Sequence, residues 1–408
     1  MVLALGCQAA PDSFLASTGQ SVDDWTDLFL NAAQFFLGQS PYLISTALTT
    51  FRTLCLSIMA LMMEIVKGSE LTHVVRLIGL LTHSARTLQL HRKTALLPNL
   101  STSEAEIRRR IWVTVQLLDV DLALRSGTSF LHQDHDAEMP LAVDDPDFSL
   151  PDSTYQIKLA ELLPTLAEII KTVNSPTNSA VPYDMVCAWD KQLRQQLQDA
   201  EVALSMPPDG KNENSDKVRL QVNFLAMLVH RTLIALHQNY ISEIGLSIAI
   251  LHSSLKVLQV HQAWHTLAAD GAGDQTRTVS SQTLFNALEP VGPAGVSSFS
   301  SSLPTWLVDL CHDHFTAAMF NVILALRRVD FEAVGKYQAS SMDDSGSSDV
   351  ASRPATWTVL RQNLELKHVR ACRSAAHFRE FFALAVAVGC LESIDAGEPM
   401  LPTTASPA

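Results

Sequence analysis

Residues 84–147 read SARTLQLHRKTALLPNLSTSEAEIRRRIWVTVQLLDVDLALRSGTSFLHQDHDAEMPLAVDDPD. The opening letters close an amphipathic helix, and Pro98 marks the loop that follows. Ser103 and Glu106 then have the spacing of a capping box, in which hydroxyl and carboxylate each satisfy an orphan amide of a helix's first turn. From Ile111 to Leu124 the letters are apolar on nearly every side of a helix. A helix apolar all round belongs in a protein's interior. Gly127 ends it, and a long acidic loop carrying Pro140 and Pro146 follows. Asp119 is the difficult residue of this helix, because a buried carboxylate without a partner costs several kcal/mol. It should lie on the face of Trp112, about two turns away. There it should meet Arg86, His91 or Arg92 from the preceding helix end; the alternative is a hydrated polar cleft.

Working outward, Ser21 and the acidic residues after it suit a helix start, with a helix over 22–37. Further helical patterns cover 41–66, 70–89, 154–173, 181–203, 215–240, 242–267, 303–328 and 356–391, the last as one helix or a pair. No run of alternating residues suggests a sheet. The fold class expected is all-α, a multi-helix antiparallel array. Residues 1–267 read as one helical domain. Residues 268–303, rich in Gly, Ser and Thr, read as a mobile loop. The helices of 304–391 should pack on the same domain, around a disordered insert at 338–354 and before a disordered tail at 392–408.

Hydrophobic residues make up 47% of the 408, and charged residues only 17%. That balance supports a large core of buried helices, since ordinary soluble chains carry roughly 25% charged residues. The net charge of −13 repels phosphate backbones, so direct DNA binding by this chain is not expected. The six cysteines stand singly, which excludes a zinc cluster on short Cys-x-x-Cys spacings and points to a reducing compartment. The longest apolar runs read as too short for a bilayer, so no membrane is expected.

The 84–147 stretch resembles the core of the middle homology region of fungal binuclear zinc-cluster transcription factors. That family has a helix ending Ala-x-x-Leu-Gly-Leu-His-Arg-Asp, a Ser-x-x-Glu start, Arg-Arg-Arg-Leu-Trp-Trp, then Leu-Asp-Arg and Gly-Arg-Pro. Ala85, Leu88, Leu90, His91 and Arg92 fit the first part. Arg108, Arg109, Arg110, Ile111 and Trp112 fit the second, with Asp119 and Gly127 in register. Met139-Pro140 and Asp144-Asp145 close the match. The departures are Gln89 for Gly, Lys93 for Asp, Val113 for Trp, Val120 for Arg, and Thr128-Ser129 for Arg-Pro. A looser likeness covers 220–240, where Leu236 and His237 fit the family's Leu-His. The resemblance implies a nuclear regulator of RNA polymerase II genes, controlling a metabolic or biosynthetic gene set. In the family, DNA is read by a separate N-terminal cysteine-rich zinc cluster, which this sequence does not show. Partners would be other regulators or a second copy, with a small-molecule effector possible in kind. The alternatives are a small-molecule-sensing or protein-interaction module and, more remotely, a helical enzyme.

His261 and His265 have the i, i+4 spacing of a zinc protease, but Gln262 stands where the general base is needed. They read as a structural pair. The His132-Gln-Asp-His-Asp136 cluster has metal-ligand chemistry but lies in a variable polar loop. Asp144-Asp-Pro-Asp-Phe148 resembles a terpene-synthase metal motif, with Phe148 where the outer carboxylate belongs and Pro146 interrupting the helix. Arg108, Arg109 and Arg110 follow Glu104 and Glu106 at i, i+4, which favours a salt-bridged turn over a phosphate patch. No catalytic, DNA-binding or metal residue is assigned in this chain, and no cofactor is expected.

Overall fold

The computed structural model describes residues 22–39, 48–64, 71–97, 100–128, 139–140, 153–175, 181–205, 215–238, 244–273, 303–329, 331, 352–372 and 375–395. They form twelve α-helices, and among the described residues none is in a strand. In chain order these are α1 (Val22–Gln39), α2 (Leu48–Glu64), α3 (Leu71–Thr87), α4 (Thr102–Ser126), α5 (Ser153–Val173) and α6 (Tyr183–Ser205). Then come α7 (Ser215–Gln238), α8 (Ile244–Gly273), α9 (Leu303–Leu310), α10 (His312–Arg328), α11 (Arg353–Ala371) and α12 (Ala375–Asp395). A single 3-10 turn, Thr94–Leu96, sits between α3 and α4.

Sequence neighbours pack on one another, as short connections require of an antiparallel helical array. Helix α4 lies against α3, α5 and α7. Helix α8 lies against α7 on one side and against α9, α10 and α11 on the other. The α7–α8 pair therefore joins the two ends of the molecule, and α9 adds a second link by packing on α2. One continuous core runs through all of this, with Trp112, Trp264, Phe51 and Phe315 among its largest side chains. Helix α7 is long and apolar enough, by length and composition, to cross a bilayer, although the sequence reading found no such run. In the fold it is an interior helix: Leu225, Leu228, Val229 and Leu233 are fully buried.

The start of α4 differs from the expected capping box. The cap is Ser101, whose Oγ accepts from the Glu104 amide at 3.2 Å. Ser101 and Glu104 share the Ser-x-x-Glu spacing of Ser103 and Glu106, so the spacing alone did not fix the register. Packing fixed it: Glu106 is fully buried and points inward. Losing a serine cap costs about 1 kcal/mol. At the other end Gly127 adopts a left-handed φ of 64°, and its amide donates to Ala123 O at 3.0 Å. Asn174, just past α5, donates to the same Ala123 O at 3.1 Å and to Thr128 O at 2.8 Å.

Other boundaries move as well, and the single helix read over 303–328 divides at Cys311 into α9 and α10. Helix α8 continues to Gly273, where the sequence placed a loop from 268. Helix α11 begins at Arg353, inside the segment read as disordered to 354, because Ser352 caps it and Pro354 suits its first turn. Helix α12 runs to Asp395, beyond the expected fray at 392, and Arg353 Nη2 donates to both carboxylate oxygens of Asp395, at 2.7 and 2.8 Å. The rest of the loop, insert and tail read from sequence lies outside the described residues.

Candidate functional site

The family-like stretch folds into a helix stop, a buried turn and a buried helix. Leu90 N–H donates to Ala85 O at 3.0 Å, and Gln89 N–H to Arg86 O at 2.9 Å. These are the two bonds of a Schellman stop, with Leu88 as the last half-helical residue and Gln89 in the left-handed position. Gln89 has φ 57°, the one non-glycine positive φ among the described residues. Ala85 and Leu90 are buried and supply the apolar contact of that motif. The family's Ala-x-x-Leu-Gly-Leu thus has a mechanical meaning, and this chain places glutamine where the backbone asks for glycine. Beyond the stop, His91 lies 6.0 Å from the Trp112 ring, while Arg92 is exposed.

The three arginines face inward. Arg108 donates its guanidinium to Leu88 O, satisfying a carbonyl at the end of α3. Arg109 reaches Glu106 at 3.2 Å and donates to Thr94 Oγ1 at 2.7 Å. Arg110 holds the other oxygen of Glu106 at 2.9 Å, with both side chains buried. Such a triplet cannot serve as an exposed phosphate patch. Trp112 and Asp119 are each 1% exposed.

The far end of α4 carries a second cluster that the sequence reading missed. Arg125 holds Asp121 at 2.9 Å and, across 188 residues, Asp313 of α10 at 2.8 Å. It also donates to Leu310 O, at the end of α9. His314 contacts Asp121 through Nε2, and Arg231 of α7 donates to His314 Nδ1 at 3.1 Å. A guanidinium cannot accept, so Nδ1 is the acceptor and the ring proton sits on Nε2, donating to Asp121. His314 is therefore neutral, in keeping with a pKa lowered mainly by burial. Burial pushes the Asp121 carboxyl up, but Arg125 and His314 overcome this and hold it at about 2. Burial, reinforced by nearby Arg125, brings the Arg231 guanidinium down to about 10. Beside Asp121 lies an apolar cavity of about 30 Å³, lined by Met59, Met62, Phe224 and Cys311. That is about the share of one water molecule, far below a metabolite. The i, i+4 spacing of Asp121 and Arg125 was visible in the sequence; His314 and Arg231 had no local signal.

An open cleft of about 450 Å³ lies elsewhere, between α6, α7 and α8. Tyr183, Cys187, Lys191, Gln198 and His237 line it. Asp190 binds His237 Nε2 at 2.7 Å and also pairs with Arg194. Burial raises the Asp190 carboxyl, but the bonds from His237 and Arg194 hold it at about 2. His237 is buried, and its Nδ1 makes no hydrogen bond. The structural pair read at His261 and His265 is close: Nε2 to Nε2 is 3.2 Å, and His261 Nδ1 meets Asn363 Oδ1 at 2.7 Å. The loop residues His132, Asp134, His135 and Asp136, and the acidic residues Asp144 and Asp145, lie outside the described residues.

The family described as "Fungal specific transcription factor domain" matches residues 1–230. Transcription factor lepE of Aspergillus flavus is 25% identical over 253 residues, covering 59% of this chain and 30% of that protein. Transcription factor opdR of Penicillium oxalicum is 24% identical over 182 residues, covering 40% of this chain and 23% of that protein. The chain thus spans under a third of each relative's length in these matches. No solved structure matches this chain.

Proposed function

This chain belongs to the fungal specific transcription factor domain family, and from that premise we propose that it acts in the nucleus as a non-enzymatic regulatory domain. It works on RNA polymerase II genes through partners, either other regulators or a second copy of itself, rather than by gripping DNA. The observation that carries this reading is the family match over 1–230, whose motif residues build the α3 stop and the interior of α4. The net charge of −13 and the inward-facing arginines support the lack of a DNA grip. The test is a reporter assay with the full chain fused to an unrelated DNA-binding module. Reporter output should shift from that of the module alone, and Arg125→Met should abolish the shift. Unchanged output, or tight sequence-specific DNA binding by the unfused chain, would overturn the reading.

A second reading, effector sensing, is favoured by the open cleft, whose lining includes Lys191, Gln195 and Gln198. The basic and hydrogen-bonding lining suits a small molecule bearing a carboxylate or phosphate. Thermal-shift screening of such metabolites tests it, with Lys191→Ala and His237→Phe as controls. No stabilising metabolite, or stabilisation that survives both controls, would remove it.

A further inference from the structure

We propose that His312, His377 and Glu380 form a binding site for one zinc-class divalent cation at the junction of α10 and α12. One ligand atom from each of the three lies within 4.8 Å of the other two. His312 comes from the first turn of α10, while His377 and Glu380 sit at i, i+3 on one face of α12. Neighbouring ligands on a tetrahedral zinc are about 3.3 Å apart, given bonds of about 2.0 Å. Reaching that spacing needs the widest pair, within 4.8 Å, to close and the His312–Glu380 pair to open, and His377 and Glu380 are partly exposed and can move.

The donor set selects the ion. Two imidazoles and one carboxylate suit zinc, cobalt or nickel, whereas calcium and magnesium need oxygen-rich shells. His312 is buried, and neither of its ring nitrogens makes a hydrogen bond of ordinary geometry, although Nε2 lies against Glu380 Oε2. For Nε2 to bind a metal, its proton moves to Nδ1, where Asp313 Oδ1 lies 3.8 Å away and can draw closer to accept it. Cys311 contributes no thiolate, since burial pushes its thiol well up.

Two cations stand nearby, and their placement decides whether an ion can enter. Lys367 Nζ holds Glu380 Oε1 at 3.0 Å and Thr316 Oγ1 at 2.6 Å, leaving Oε2 for the metal. Arg370 is engaged by Asp309, whose Oδ1 lies 3.9 Å from His377 Nε2. Glu380 thus pairs with Lys367 and Asp309 with Arg370, so both cations are already offset where the ion would enter. The sequence reading expected no metal ligands here because these residues come together only through the packing of α12 on α10.

The test uses the full chain, freed of metal with a chelator and desalted. Calorimetric titration with zinc should show one ion per chain, and cobalt should give the visible bands of a four-coordinate site. His377→Ala and Glu380→Gln should each weaken binding by about tenfold or more. His265→Ala, a control on the neighbouring histidine pair, should change it less than about twofold. Far-UV circular dichroism checks that each variant folds; should Glu380→Gln unfold by stranding Lys367, His377→Ala carries the test. No saturable uptake, uptake untouched by His377→Ala, or uptake abolished by His265→Ala would each overturn the proposal.

Discussion

Helix α4 has a buried charge cluster at each end, and the two are assembled in different ways. At its start, Glu106 takes Arg109 and Arg110 from its own next turn. Near its end, Arg125 takes Asp121 from its own preceding turn but Asp313 from 188 residues away, with His314 and Arg231 completing the set. The first cluster shapes one helix and the turn before it. The second fastens the family-matched half of the chain to α9 and α10, which lie beyond residue 230. An ion pair built within one helix survives if distant elements rearrange; one built across the fold does not. The two clusters therefore assign different work to the same chemistry.

Breaking the long-range cluster should have the largest effect. Arg125→Met strands Asp121 and Asp313 together, and urea unfolding should show a loss of about 3–5 kcal/mol. Arg110→Met at the local cluster should cost less, about 2–3 kcal/mol, because Arg109 still neutralises Glu106. If the two losses came out equal, the contrast between the ends would fail. Asp119→Asn tests for the cation expected beside that buried carboxylate: stranding such a partner should cost about 3 kcal/mol. A loss below about half a kcal/mol would show that its charge does nothing for stability.

Acid should act through the carboxylates held low. Asp121 and Asp190 both sit at about 2, against an ordinary 3.8. A depressed carboxylate contributes fully above its unfolded value and loses that contribution as pH falls toward its folded one. Stability should hold down to about pH 4, then fall by roughly 2 kcal/mol for each group between pH 4 and 2. Asp121→Asn should shrink that acid-sensitive part, as followed by melting temperature against pH. The smallest effect expected is a gain. Gln89→Gly relieves the left-handed backbone and should stabilise by about 0.5–1 kcal/mol in the same denaturant assay.

How much of this could be read in the sequence depends on how far apart the partners are. The apolar stripe of 111–124, the stop at Gly127 and the Glu106–Arg110 spacing are local, and each appears in the fold where the letters put it. The cap of α4 was misplaced by two residues because Ser101 and Ser103 both precede a glutamate by three. Only the burial of Glu106 separates them. Gln89 could be noted only as a departure from the family's glycine; its positive φ gives that departure its physical meaning. Helix α7 was read from the sequence only as a helical pattern over 215–240, although it is apolar enough to span a bilayer. His314 and the His312–His377–Glu380 cluster have no local pattern at all. They exist because α10 packs on α8, α11 and α12.

The central claim is that Arg125 makes the family helix and the C-terminal helices one cooperative unit. Hydrogen exchange, read by mass spectrometry on the wild-type chain and on Arg125→Met, tests it directly. The expected result is a joint loss of protection in α4 and in residues 303–328, of similar size in both. Loss confined to α4, with α10 as protected as before, would contradict the claim.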